Sequence, residues 1–253
     1  GTNGCSVTDD YVVMNDIDFT ELTTTPYTAP QGNFVGSIRG SSALDDVPAL
    51  HSLDLSASGP LLSVGKPGDA SGVARLERLA FVDVTYVSSS NAEFGLLRGY
   101  ENWFDPGGGV SLVDVVLSDV DVKTNAHSGA LFGRVLNGVE AIDGLRMHNV
   151  NVSSTSGDVG LVGGHLAGTS VSISDVSIDE ESSIVGVGSN AGNAGALAGY
   201  ADGVVTASDI RFAGDIGIKN AVGGLVGTVG SNGSVRFERV EITEGASLST
   251  TGQ

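Results

Sequence analysis

Apolar residues recur in a fixed frame along the chain. The frame is Φ-x-x-Φ-x-Φ, with Φ apolar. It occurs as Leu76/Leu79/Phe81, Leu112/Val115/Leu117, Ile142/Leu145/Met147, Ile173/Val176/Ile178, Ala207/Ile210/Phe212 and Phe237/Val240/Ile242. First members are separated by 36, 30, 31, 34 and 30 residues. The last two apolar positions lie two apart, which is strand alternation. The first gap of three predicts a bulge or bend at the strand start. Polar Asp119, Asp121, Asn149 and Asn151 interleave with Val120, Val122, Val150 and Val152. One face of each strand is therefore expected to be buried and the other wet. Abundant β-branched residues and dense glycine argue against helix.

A second pattern, G-x-L-x-G, alternates with the first. It reads Gly95–Gly99, Gly129–Gly133, Gly195–Gly199 and Gly223–Gly227, with the variant Val159-Gly-Leu-Val-Gly163 filling the gap. The starts at 95, 129, 159, 195 and 223 are 34, 30, 36 and 28 residues apart. The central leucines Leu97, Leu131, Leu161, Leu197 and Leu225 are expected to be buried. The flanking glycines suit a corner, or a place where backbones approach closely. Two patterns keeping one order through several cycles predict coils of a β-solenoid, with like positions stacked about 4.8 Å apart. β-Propeller blades, at about 40–45 residues, are longer than these steps. A leucine-rich repeat would need a helix-period segment between strands, and none is present. The expected architecture is all-β: a single solenoid domain over 1–253, with coils of about 28–36 residues. Residues 1–70 form irregular N-terminal coils or a cap, and 71–248 form regular coils.

These segments resemble the GLUG motif family of bacterial surface proteins. The resemblance rests on VGLVGG (159–164), GALAGY (195–200) and VGGLVG (222–227), each followed by an alternating strand. "DYVVMNDIDFTEL" (Asp10–Leu22) and "GNFVGSIRG" (Gly32–Gly40) look like the strand and F-x-G-x-x-x-G segment that open such regions. Residues 41–70 and the loop 100–109 depart from the pattern. The resemblance implies a right-handed parallel β-helix within a large secreted or cell-wall-anchored protein, such as an adhesin or the non-catalytic part of an immunoglobulin A peptidase-like protein. It implies an extracellular, bacterial cell-surface location. The implied partners are a host or neighbouring-cell surface protein or glycan, and the rest of a larger surface protein.

Composition narrows the function. Hydrophobic residues make up 40% and aromatic residues only 6%, with 38 glycines, which fits a repetitive β architecture. The net charge is −18 with only 12 Lys and Arg, so no basic stripe for nucleic acid is expected and anionic membrane surfaces are disfavoured. No apolar run reaches the roughly 18 residues of a membrane span. Cys5 is the sole cysteine, which precludes an internal disulfide and a cysteine metal site. The start at Gly1-Thr2 without Met points to a mature piece or an excised fragment.

Little in the sequence carries chemistry. His51, His127, His148 and His165 fall in no H-x-x-x-H or H-E-x-x-H spacing, and read as corner or surface histidines. No metal site is expected. There is no G-x-S-x-G elbow and no G-x-x-x-x-G-K-[ST] phosphate loop. The acidic groups Asp9/Asp10, Asp16/Asp18, Asp45/Asp46 and Asp179/Glu180/Glu181 read as solvated turns or strand faces, and none forms a D-x-D-x-D-G calcium loop. Calcium is the one cofactor that the acidity leaves open. Outward positions are mixed, which excludes the Thr-x-Thr arrays of ice binding. The stretch "RGYENWFDPGGGV" (Arg98–Val110) is the most distinctive non-repeat segment. Tyr100, Trp103, Phe104 and Asp105 are its candidate binding residues, because loops on rigid scaffolds carry function and exposed rings stack on sugars or anchor partners. The expected function is a non-enzymatic scaffold, stalk or ligand-presenting module. The alternative is a carbohydrate-binding or carbohydrate-active β-helix that uses the aromatic loop.

Overall fold

A computed structural model of the chain describes residues 8–21, 34, 36–41, 47–56, 59–61, 73–99, 109–136, 139–167, 170–218 and 221–250. It is a parallel β-solenoid. The strands Val73–Val87, Gly109–Thr124, Val139–Gly160, Ser170–Ile178, Val204–Phe212 and Ser234–Ile242 pair successively and in parallel. A second, four-stranded sheet is built from Phe132–Val135, Gly163–Leu166, Ala198–Ala201 and Val226–Val229.

The apolar frame is the register of the first sheet. Leu76, Leu112, Ile142, Ile173, Ala207 and Phe237 lie opposite one another, and so do the second and third members of each frame. In the inner coils these ladders are buried, with Leu79, Val115 and Leu145 at 0% exposure. Each ladder contributes about 1.5–3 kcal/mol per large side chain removed from water. The gap of three is the expected bend. Its third position is left-handed in every coil: Arg78, Asp114, Gly144, Asp175, Asp209 and Arg239, with φ between 51° and 77°. Gly144 adopts this conformation freely, and Asp114, Asp175 and Asp209 belong to the residue types that tolerate it.

The glycine corners stack as expected in four coils, with one correction of register. Gly129 lies beside Gly160, because Ser128 bridges Val159, and Gly160 pairs Gly195. Ala130 N–H donates to Leu161 O, and Phe132 N–H to Val162 O. The corner is therefore Gly160–Gly164. Val162 takes the place of Leu131 and Leu197, while Leu161 stacks with Ala130 and Ala196. A Leu-Val pair between glycines reads equally well in two frames one residue apart. Only the pairing with neighbouring coils decides between them.

The N-terminal segment continues the same ladders with uneven spacing. Tyr11 pairs with Ile38 and Ile38 with Leu76, while Ile17 pairs with Leu50 and Leu50 with Phe81. At the other end Phe237, Val240 and Ile242 are exposed, because no described coil lies beyond them. No helix among the described residues is long and apolar enough to cross a membrane.

Candidate functional site

The corners place two lines of polar residues side by side. Two residues before the first glycine stand Glu93, His127, Asp158 and Asn193. One residue after the last glycine stand Arg134, His165, Tyr200 and Thr228, which lie in direct register. The two lines meet because each corner turns tightly between them.

The centre of this seam is Asp158. Its Oδ1 accepts hydrogen bonds from Asn193 N at 2.9 Å and Asn193 Nδ2 at 2.7 Å. Asn193 Oδ1 accepts in turn from Thr228 Oγ1 at 2.8 Å. Asp158 Oδ2 faces two imidazoles: His127 Nδ1 at 3.1 Å and His165 Nδ1 at 3.6 Å. The side chains of His127, Asp158 and His165 are 21%, 9% and 16% exposed. The two rings meet edge to face at 5.4 Å, and His165 packs on Tyr200 at 4.7 Å. Below them Arg134 Nη2 pairs with Glu93 Oε1 at 2.6 Å.

Local sequence sets this geometry. Gly157 has φ +88°, and a Cβ there would stand 2.6 Å from His127 N, so only glycine lets the Asp158 turn close onto the preceding coil. The His127 turn is fixed by hydroxyls. Ser128 Oγ donates to Ala126 O at 2.9 Å, and Ser154 Oγ to the same carbonyl at 2.8 Å. Thr124 Oγ1 bonds Ser128 Oγ. These serines are committed to backbone, and neither is paired with a histidine as a nucleophile would be.

Burial raises the Asp158 carboxyl, but the hydrogen bonds from His127 and Asn193 outweigh it and hold it below the usual carboxylate range. Burial, reinforced by His127, pushes His165 down to about 4 against the pull of Asp158. Burial raises Glu93, opposed by Arg134. At neutral pH the seam thus holds an ionised Asp158 against a neutral His165.

A second cluster is exposed. His148 Nδ1 bonds Asp179 Oδ2, and His148 Nε2 lies 3.7 Å from Glu181 Oε2. Asp179 Oδ1 accepts from Ser182 Oγ at 2.8 Å and Asn149 N at 3.2 Å. The bond to Asp179 raises the His148 pKa. A third feature is a shallow open groove lined by Asp83, Asp119, Asp121, Lys123, Asn149 and Asn151, the wet side of the alternating strands.

Tyr100, Trp103, Phe104 and Asp105 lie outside the described residues. His51 stands 3.8 Å from Asp16. The sequence reads the histidines as corner or surface residues, and His127 and His165 do stand beside corner glycines. The fold also brings these two together on Asp158 and partly buries them. The signal for this was present: each lies at a fixed offset from a corner glycine. The correct offset of His165 needed the frame Gly160–Gly164. No family model, curated protein or solved structure matches the chain.

Proposed function

We propose that this chain is a non-enzymatic β-solenoid segment of a bacterial surface adhesin, which holds ligand-presenting loops at a fixed distance from the cell. The observation that carries this reading is the unbroken register of the apolar frame through six coils. A stack in which every coil pairs with its neighbours transmits position along its axis, and local bending would break ladders on both sheets. The GLUG-like corners and the acidic, aromatic-poor surface support the same reading. The presented element is the sequence segment with Tyr100, Trp103, Phe104 and Asp105, and the partner is a surface glycan or protein.

The test is a glycan and host-protein binding screen on wild type and Trp103→Ala, with and without calcium. Binding that is lost in Trp103→Ala without loss of β-sheet circular dichroism supports presentation by this loop. Turnover of a bound glycan would replace the scaffold reading with a carbohydrate-active one. Binding unchanged by the substitution would move the site onto the strand faces.

A further inference from the structure

His165 is the least satisfied side chain of the seam. Both of its ring nitrogens are buried and make no hydrogen bond. In a neutral imidazole one of these is an N–H and the other a lone pair, and burying either without a partner is costly. His127 Nδ1 has a related difficulty. It accepts the Asp158 backbone N–H at 2.9 Å and also lies 3.1 Å from Oδ2 of the same residue, so one nitrogen faces a donor and an acceptor at once. Three atoms able to ligate a metal, Oδ2 and the two Nδ1 atoms, thus converge.

We propose that His127, Asp158 and His165 bind a divalent transition-metal ion of the zinc class, which clamps two adjacent coils. Ligand atoms about 2.0–2.2 Å from such an ion stand about 3.3–3.6 Å apart at tetrahedral angles. The contacts of 3.1 and 3.6 Å to Oδ2 are of this size, and all three ligand atoms lie within 4.8 Å of one another. Two imidazoles with one carboxylate favour zinc, nickel, cobalt or copper over calcium or magnesium, which prefer oxygen. The charge balance fits as well. The carboxylate of Asp158 stands in the site, while the Arg134 guanidinium is paired with Glu93. The second shell is in place, because Asn193 fixes Asp158 through its other oxygen and Thr228 fixes Asn193. The ion would take the place of the Asp158 amide at His127 Nδ1 and of the contact between Nδ1 and Oδ2. His127 comes from one coil and Asp158 and His165 from the next, so the ion would join two adjacent coils.

The test uses untagged, chelator-stripped protein titrated with zinc ions by calorimetry and with cobalt ions by visible absorption. One equivalent is expected to bind, with a cobalt spectrum of nitrogen-containing tetrahedral ligation and a higher Tm. His165→Gln and His127→Gln should each weaken binding at least tenfold while keeping the β-sheet circular dichroism spectrum. Asn193→Ala, which leaves all three ligands, should weaken it about 10–100-fold. His148→Ala should leave it unchanged. Absence of stoichiometric binding would overturn the proposal and leave a purely hydrogen-bonded seam. So would binding that survives both histidine variants, or that depends on His148.

Discussion

Gly160→Ala tests whether the corner glycines are there for close approach. A Cβ at Gly160 would stand 2.4 Å from Gly163 O, 2.8 Å from Ala198 Cα and 2.9 Å from Leu197 O. All three are backbone atoms, so no rotamer change relieves the contact. Relieving the Gly163 O contact requires the corner itself to open, and relieving the other two requires the corner and the next coil to part by roughly 0.5–1 Å. The bonds from Leu161 N to Ala196 O and from Gly163 N to Leu197 O are each 3.0 Å long and span that gap. Stretching both forfeits about 0.5–1.5 kcal/mol apiece, and residual overpacking adds about 1–3 kcal/mol. The expected cost is about 2–6 kcal/mol, a large part of the roughly 5–15 kcal/mol that stabilises a typical domain. Gly224→Ala is the control. A Cβ there meets only Ile242 Cδ1 at 3.9 Å. Its carbonyl receives the N–H of Ala196, so alanine already fills the neighbouring coil's position. That change should stay within about 0.5 kcal/mol. Urea unfolding followed by circular dichroism measures both. Equal midpoints for the two variants would refute the close-approach argument.

Other consequences follow from the same geometry. Leu145→Ala, between Val115 and Val176 and at 0% exposure, should cost about 2–5 kcal/mol in the same urea assay. His148 should titrate above its ordinary value of about 6.5 by NMR, and Asp179→Asn should lower it toward that value, because the Asp179 bond is the main cause of the shift. Its sign is set by linkage. The folded pKa is raised, so the stabilisation is fully present below about pH 6.5 and is lost as pH rises through the folded pKa. With a net charge of −18, added sodium chloride should raise Tm, since the screening length falls from about 10 Å at 0.1 M to about 3 Å at 1 M. A flat or falling Tm would mean that the carboxylates are already offset locally.

The two periodic patterns were enough to read the solenoid. An apolar frame at one-coil spacing must stack on itself, because no other arrangement buries a ladder such as Val115, Leu145 and Val176 in consecutive coils. The bend at Asp114, Gly144 and Asp175 was visible in the same spacing, although its left-handed conformation was not. The corner frame in the Gly160 coil and the His127–Asp158–His165 seam were not legible from the chain alone. Asp158 lies 31 residues from His127 by sequence, and a one-residue shift of frame moves every downstream side chain to the opposite face. Sequence by itself determined the repeat, the buried ladders and the wet faces, because those depend on periodicity along one strand. The tertiary structure decided which polar side chains meet, because that depends on the register between coils, set by backbone hydrogen bonds that periodicity does not specify.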